Sequence, residues 1–394
     1  MQQTRLNSGG RMDSHVTLYQ GDALSVLKNI PDESIDMCMT SPPYWGLRDY
    51  HADGQIGLEP TFQLYIDHLM QIFSEVKRVL KKTGTCWVNI ADSYTGSNQG
   101  AHTKTPSAKQ LSNAGTIYMQ YNDHKSLLVN CSVPAKSLIG IPERFALAMT
   151  DQLGFIRRST IIWWKRNPMP ESVKDRFTED FEYLYMFSKQ GKYFFEQQFE
   201  PLKDCSIERS LYGWHGQEDN DAIRAQPDPV DQMGDRWAPM QGRNRRCVWD
   251  IPTEASRGSN HYAAYPEKLC ETPILAGCPA AICTKCGKAR EKIYKTENMV
   301  INRTDWGAAA GNRTASSGTM VSPATHKETG LTDCNCGASF EPGVVLDPFA
   351  GTGTTGAVAK RLGRKSVLIE LSPKYCGIIE KRITNIPIPM GLNV

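Results

Sequence analysis

The 394-residue sequence has no apolar run near the roughly 18 residues of a membrane span, so a chain built on membrane helices is excluded. Met1 to Ser14 are polar and hold no apolar signal core, and residues 1–14 read as a disordered tail of a cytoplasmic protein with no membrane partner. Charge of neither sign is in excess. A net charge of +3 neither requires nor excludes a nucleic-acid partner, because local clustering decides that. Disulfide spacing is also missing. Of the 12 cysteines, most sit singly in apolar segments, as Cys38, Cys86 and Cys376 do, which is the pattern of reduced, buried thiols. What is there is enough for a sizeable core: 40% hydrophobic and 22% charged residues, over a length that holds two or three modules or one large α/β domain with insertions.

The most informative stretch is Thr40 to Gly46. The apolar run from Ile35 to Met39 has strand length and composition. Pro42 and Pro43 then forbid both helix and sheet pairing, so the chain leaves the sheet in a stiff turn. Ser41 precedes the prolines; Tyr44 and Trp45 follow them. Such a turn suits a flat ring, with aromatic faces for stacking and Ser41 and the proline carbonyls for hydrogen bonds to an amino group. An ordinary strand-ending turn with buried aromatics is the competing reading.

Residues 15–92 form the first part of a core. Val16 to Gln20 reads as a strand and Ala23 to Ile30 as a helix, with Asp22 between them as either a helix cap or a ligand group. Thr61 to Lys82 reads as a long amphipathic helix with cations at its end, closed by Gly84, and Thr85 to Ile90 as a buried strand. Residues 93–133 lack periodicity and form a mobile, functional insertion. Residues 134–190 resume the core with a helix, Pro142 to Leu153, and strands Phe155 to Lys165 and Phe181 to Ser188. In residues 191–258 basic residues mix with Trp214, Trp237 and Trp249, as a base-and-phosphate contact surface needs. Residues 259–280 hold a short helix, Pro266 to Glu271, which Pro273 would end. A cysteine-rich insertion covers 281–340, and 341–394 read strand, helix, strand, helix.

Between the strand and helix of that last part lies Asp347 to Gly356, in which Gly351, Gly353 and Gly356 fit G-x-G-x-x-G. The glycines admit a ligand close to the backbone and the helix N-terminus offers unpaired N–H groups. Glu370 ends the next strand, where a carboxylate can hold ribose hydroxyls. A Walker loop is excluded, since no Gly-Lys-Ser/Thr follows. Only 38 residues follow Gly356, too few to complete a doubly wound sheet. The N-terminal half must complete it, which makes the chain circularly rearranged and sets Asp22, Ser41 and Asp347 on one sheet edge. The same shortage of chain leaves a nucleotide-dependent oxidoreductase without its second domain.

Ser41-Pro42-Pro43-Tyr44 followed much later by Asp347 to Thr355 resembles the S-adenosylmethionine-dependent DNA amino-methyltransferases of the β arrangement, in which the target-base motif precedes the cofactor motif. Further matches at Tyr19 to Leu24, Trp164 to Pro170 and His261 to Leu269 carry the resemblance over about 16–190 and 259–385. It implies a doubly wound, mostly parallel, Rossmann-like α/β sheet with target-recognition insertions. It implies cofactor binding by Asp22, His261, Tyr265, Pro266, Asp347, Phe349, Gly351, Gly353, Thr354 and Glu370, with Asp22 on the adenine amino group and Glu370 on the ribose. Ser41, Pro42, Pro43 and Tyr44 would do the catalytic work, and Trp45, Trp164, Lys165, Asn167 and Pro168 would line the base pocket. The partner would be double-stranded DNA with the target base flipped out, and a cognate restriction endonuclease would accompany it. Ser41 with Trp45 resembles the cytosine-N4 members; adenine-N6 members more often carry aspartate first.

Cys283-x-x-Cys286 and Cys334-x-Cys336 would give four thiolates to one structural zinc, with Cys278 as a substitute ligand, or else are simple loop cysteines. A non-catalytic zinc-ribbon DNA-binding protein would leave Ser41 and the glycine loop unexplained. Neither recognition sequence nor oligomeric state is written in the chain.

Overall fold

The computed structural model describes residues 2–8, 11–46, 54–95, 132–168, 170–171, 173–200, 243–254, 265–297, 300–303, 318–322 and 325–387. Two compact units emerge. The first comprises Met1–Glu196, Cys247–Ala289 and Ala338–Val394; the second comprises Gln197–Arg246 and Arg290–Gly337.

The first unit is organised by a nine-stranded sheet. Its strands are β1 (Gln2–Ser8), β2 (Arg11–Gln20), β3 (Ile35–Thr40), β4 (Leu80–Ile90), β5 (Ile156–Trp164), β6 (Phe181–Ser188), β9 (Val248–Asp250), β16 (Val344–Asp347) and β17 (Lys365–Glu370). β7 (Phe199–Glu200) and β8 (Arg243–Asn244) belong to the second unit. The sheet order is β1-β2-β17-β16-β3-β4-β6-β5-β9. β2, β17, β16, β3 and β4 are mutually parallel, while β1 and β6 run antiparallel to their neighbours. β16 and β17, encoded last, therefore sit between β2 and β3, encoded first. The circular order inferred from the short C-terminal part is the order of the sheet.

Helices cover both faces, as a parallel sheet requires. α1 (Ala23–Leu27), α2 (Phe62–Val79) and α3 (Ile141–Asp151) pack on one face, and α4 (Glu267–Gly277) and α5 (Thr354–Arg361) on the other. Alternate strand residues feed the two cores. Cys38, Cys86, Val88, Tyr185 and Phe187 lie with α1 to α3, whereas Met37, Met39, Trp87, Leu184 and Met186 lie with α4 and α5. α6 (Pro373–Thr384) closes a smaller cluster in which Ile379 and Ile383 meet Val16, Leu18 and Leu368.

Several elements differ from the sequence reading. Residues 2–8 and 11–14, expected as a disordered tail, extend the sheet edge; an edge strand is held by backbone bonds to its neighbour and needs no apolar run. α2 ends at Val79, and Lys81 and Lys82 belong to β4, where Lys81 pairs with the buried Asp36 at 2.8 Å. α4 runs past Pro273 to Gly277. The lost backbone bond is outweighed by burial, since Leu269, Cys270, Ile274 and Ala276 are all buried against the sheet. Trp249, expected on a contact surface, is 6% exposed and packs in that same core. Trp214, Trp237 and most of the 93–133 insertion lie outside the described residues.

β10 (Ile282–Cys283) pairs with β15 (Phe340–Glu341) in the first unit. In the second unit β7 pairs with β8, β11 (Lys292–Glu297) with β14 (Thr325–Leu331), and β12 (Val300–Arg303) with β13 (Gly318–Ser322), all antiparallel.

Candidate active site

The carboxyl ends of the parallel strands surround a cavity. Gly21 and Asp22 follow β2, Ser41 to Tyr44 follow β3, Pro348 to Thr352 follow β16, and Glu370 ends β17 with Leu371 and Ser372 after it; all line it, together with Thr354, Tyr265 and Tyr375. The strand exits place these groups together because parallel strands end on the same side, whatever their order in the chain.

The turn after β3 is held by its aromatics. Tyr65 donates to the Pro43 carbonyl at 2.8 Å. Trp45 is buried at 2% exposure, donates from Nε1 to the Glu59 carbonyl at 2.8 Å, and packs edge-on against Phe62. Trp45 is therefore an anchor of the turn, not a lining of the cavity. Tyr44 does face the cavity, and its hydroxyl donates to Glu182 Oε2 at 2.6 Å.

The loop after β16 is held by carboxylates. Asp347 is fully buried and accepts four bonds: from Thr40 and Phe349 on Oδ1, at 2.6 and 3.1 Å, and from Thr355 and Tyr265 on Oδ2, at 2.6 and 3.2 Å. Burial nevertheless pushes its carboxyl up from the ordinary range, against the pull of these donors. Asp347 does not line the cavity; it ties the glycine loop to β3, to α5 and to Tyr265. Glu370 accepts from the Gly351 and Ser372 amides at 2.8 Å each, and burial lifts it to about 7. Gly353 caps α5 at φ 77°, a left-handed conformation that side chains resist, and a Cβ on Gly356 would lie 2.6 Å from Leu368. Arg382 braces the loop from α6, donating to Thr354 Oγ1 at 3.0 Å and to Glu267 at 2.7 Å.

The expected residues thus divide. Asp22, Ser41, Pro42, Pro43, Tyr44, Tyr265, Phe349, Gly351, Thr354 and Glu370 line one cavity. Asp22 also caps α1, accepting from the Ser25 amide at 2.9 Å. Pro266 caps α4 and Gly353 caps α5, and neither is a lining residue. Trp164, Lys165, Asn167 and Pro168 are not lining residues either. Trp164 donates to Asp180 and Asn167 brackets the Thr253 backbone, while Lys165 pairs with Glu182 at 2.6 Å. His261 lies outside the described residues.

Thr40, Thr355, Asn89 and Glu182 escaped the sequence reading. Two had a visible signal: Glu182 is the one charged residue of β6, and Asn89 the one amide in the apolar run from Cys86 to Ile90.

Cys283 and Cys286 belong to the first unit, Cys334 and Cys336 to the second. Four thiolates in two closely spaced pairs are by their chemistry a donor set that suits tetrahedral zinc, with bonds of about 2.3 Å. Gly287 donates its amide to the Cys283 carbonyl at 2.9 Å, the tight turn a C-x-x-C pair needs. Cys278, the alternative ligand, is buried at the end of α4.

Residues 35–280 and 337–381 match the family described as DNA methylase. The type II methyltransferase M.Cfr9I of Citrobacter freundii is 34% identical over 93% of this chain and 87% of its own. M.XycI of Xanthomonas campestris pv. cyanopsidis is 33% identical over the same shares, and M.SmaI of Serratia marcescens 32% over 92% and 89%.

Proposed function

The chain belongs to the DNA methylase family of S-adenosylmethionine-dependent amino-methyltransferases, and from that premise we propose that it methylates the N4 amine of a cytosine flipped out of duplex DNA. The observation that carries this reading is the single cavity lined both by Ser41 to Tyr44 and by the Phe349–Thr354 loop with Glu370. One wall suits a base and the other a nucleoside cofactor. The choice of cytosine N4 over adenine N6 rests on Ser41 and Trp45 in the first motif.

The cofactor, when bound, supplies a methyl group already activated on a sulfonium. The residues of the chain have then to place the two reactants. Gly351 and its neighbours allow the methionine part to approach the backbone, Glu370 accepts from the ribose hydroxyls, and Asp22 accepts from the adenine amine. On the other wall, the Ser41 hydroxyl and the Pro42 carbonyl accept hydrogen bonds from the exocyclic amine of the base. An arylamine is a poor nucleophile because its lone pair is delocalised into the ring. Two acceptors out of the ring plane favour a pyramidal nitrogen with that lone pair aimed at the methyl. Tyr44 stacks on the base and offsets part of an unstacking cost of a few kcal/mol. Positioning in line supplies most of the rate, so no cysteine nucleophile and no strong base is needed.

A structural zinc on Cys283, Cys286, Cys334 and Cys336, apart from the chemistry, completes the reading, as does a cognate restriction endonuclease, a partner that fits the type II relatives. Duplex DNA incubated with radiolabelled S-adenosylmethionine and digested to nucleosides is expected to carry label in N4-methylcytidine. Label in N6-methyladenosine reverses the choice of base, and absence of label across diverse DNA refutes the methylation reading. Zinc released per chain, measured by a colorimetric chelator after thiol modification, is expected to be close to equimolar.

A further inference from the structure

Glu182, in β6, has a side chain only 12% exposed, and three groups from other parts of the sheet converge on its carboxylate. The Tyr44 hydroxyl, in the turn after β3, donates to Oε2 at 2.6 Å, and Asn89 Nδ2, in β4, donates to the same oxygen at 3.0 Å. Lys165 Nζ, in the residue after β5, reaches Oε1 at 2.6 Å. Asn89 is held by a second bond, to the Tyr183 carbonyl at 3.1 Å. The Lys165 ammonium lies 5.2 Å from the centroid of the Trp163 ring. β4, β6 and β5 are adjacent in the sheet, so Glu182, Asn89 and Lys165 stand on a rigid frame. Tyr44 does not: β3 ended at Thr40, and Tyr44 lines the cavity.

A buried carboxylate needs a counter-ion, and Lys165 is that ion. Its charge is thereby committed to Glu182. The Tyr44 bond has a different consequence. A ring stacks on a base only while it keeps one plane, and an unanchored tyrosine swings about its side-chain torsions. A bond of 2.6 Å from hydroxyl to carboxylate has the length of a strong, charge-assisted one, and it fixes the far end of the ring. That freedom is then removed before a base arrives and is not lost on binding. Burial, and after it the Glu182 charge, hold the phenol well above its ordinary range, so the hydroxyl keeps its proton and remains a donor.

We propose that Glu182 is a positioning residue for the target base: braced by Asn89 and neutralised by Lys165, it holds the Tyr44 ring in the plane on which the flipped base stacks. Lys165, expected in the base pocket, acts through Glu182 instead. The inference rests on the proposed function, since it presumes a base against Tyr44.

Glu182→Ala is expected to slow single-turnover methyl transfer at saturating cofactor by about tenfold to a hundredfold, with cofactor affinity within about twofold of wild type. 2-Aminopurine at the target position is quenched by stacking. It should be brighter in the complex of this variant than in that of wild type, because the flipped base no longer meets a fixed ring. Glu182→Gln keeps an oxygen for Tyr44 and Asn89 and loses only the pair with Lys165, so its rate should return to within about fivefold of wild type. Lys165→Met should slow transfer in the wild-type background, by leaving the Glu182 charge uncompensated, and should have no further effect in Glu182→Gln. A lysine that touched the base or the DNA itself would cost the same factor in both backgrounds. Equal losses from Lys165→Met in both backgrounds overturn the inference, and this pair of variants decides it even where Glu182→Ala fails to fold. In folded Glu182→Ala, a wild-type rate, unchanged fluorescence, or cofactor affinity lost in step with rate overturns it too. Each of these outcomes leaves an active wild-type enzyme and its proposed function intact. A wild-type protein that labels no DNA overturns both.

Discussion

Two strand exits meet at the cavity, and they are made rigid in opposite ways. The turn after β3 begins with two prolines, which remove backbone freedom before folding, and is then pinned by side chains reaching outward: Trp45 to Glu59, Tyr44 to Glu182, and Tyr65 inward to Pro43. The loop after β16 is rich in glycine, which adds freedom, and the structure removes it with carboxylates that collect donors: Asp347 takes four and Glu370 takes two backbone amides. A proline turn can present side chains to a ligand because its backbone is already spoken for. A glycine loop presents backbone, and so its rigidity has to come from residues behind it. The first exit should tolerate loss of one anchor, whereas the second should fail as a unit.

Removal of the buried hub is the severest test of that contrast. Asp347→Ala leaves Thr40, Thr355, Tyr265 and the Phe349 amide without their shared acceptor. We expect a loss of about 3 kcal/mol or more in stability by chemical denaturation, and loss of both cofactor binding and methyl transfer. If cofactor binding by calorimetry survives, the loop has support other than its carboxylate. Ser41→Ala acts on one wall only. Transfer is expected to fall by about a hundredfold or more while cofactor affinity stays within about twofold. Transfer at the wild-type rate would remove Ser41 from the mechanism.

Both exits were legible in the sequence. Ser41 to Tyr44 and Gly351 to Gly356 declared themselves in the sequence because backbone geometry restricts which residues can stand there, and the β2, β3, β16 and β17 strands were plain from short apolar runs. The circular order followed from counting the chain after Gly356. What the sequence could not show was direction. Trp45 follows Tyr44 by one residue, yet one points to the core and the other to the cavity, and that choice is made by Phe62 and the Glu59 carbonyl far along the chain. In the same way α4 was expected to stop at Pro273, because local propensity is visible in a sequence and the tertiary burial that overrides it is not.

Acidity probes the carboxylate side of the contrast more gently. Glu370 titrates near 7 in the folded chain, against an ordinary glutamate value of 4.5, because of burial. The native state holds this proton more tightly than the unfolded one, so the stability tied to this group is full below about 4.5 and is lost as pH rises through 7. If, as proposed, the ionised Glu370 carboxylate accepts from the ribose hydroxyls, cofactor affinity should move the other way, weakening up to about tenfold per unit as pH drops below 7. Calorimetric titration between pH 5.5 and 8.5 checks this, and a Glu370→Gln variant, already weak, should lose the slope.

The mildest expected effect falls on the anchored side, at Trp45. Trp45→Phe keeps an aromatic ring against Phe62 and removes the Nε1 donor, leaving the Glu59 carbonyl without that partner in a buried site. An unsatisfied buried acceptor costs about 1–3 kcal/mol, so the denaturation midpoint should fall. The turn keeps its prolines, the Tyr65 bond to Pro43 and the Tyr44 bond to Glu182, so the methyl-transfer rate per folded molecule should stay within about twofold of wild type. A large loss of rate at unchanged stability would instead put Trp45 against the base, where the sequence alone had set it, and would mean that the proline turn reorients when DNA binds.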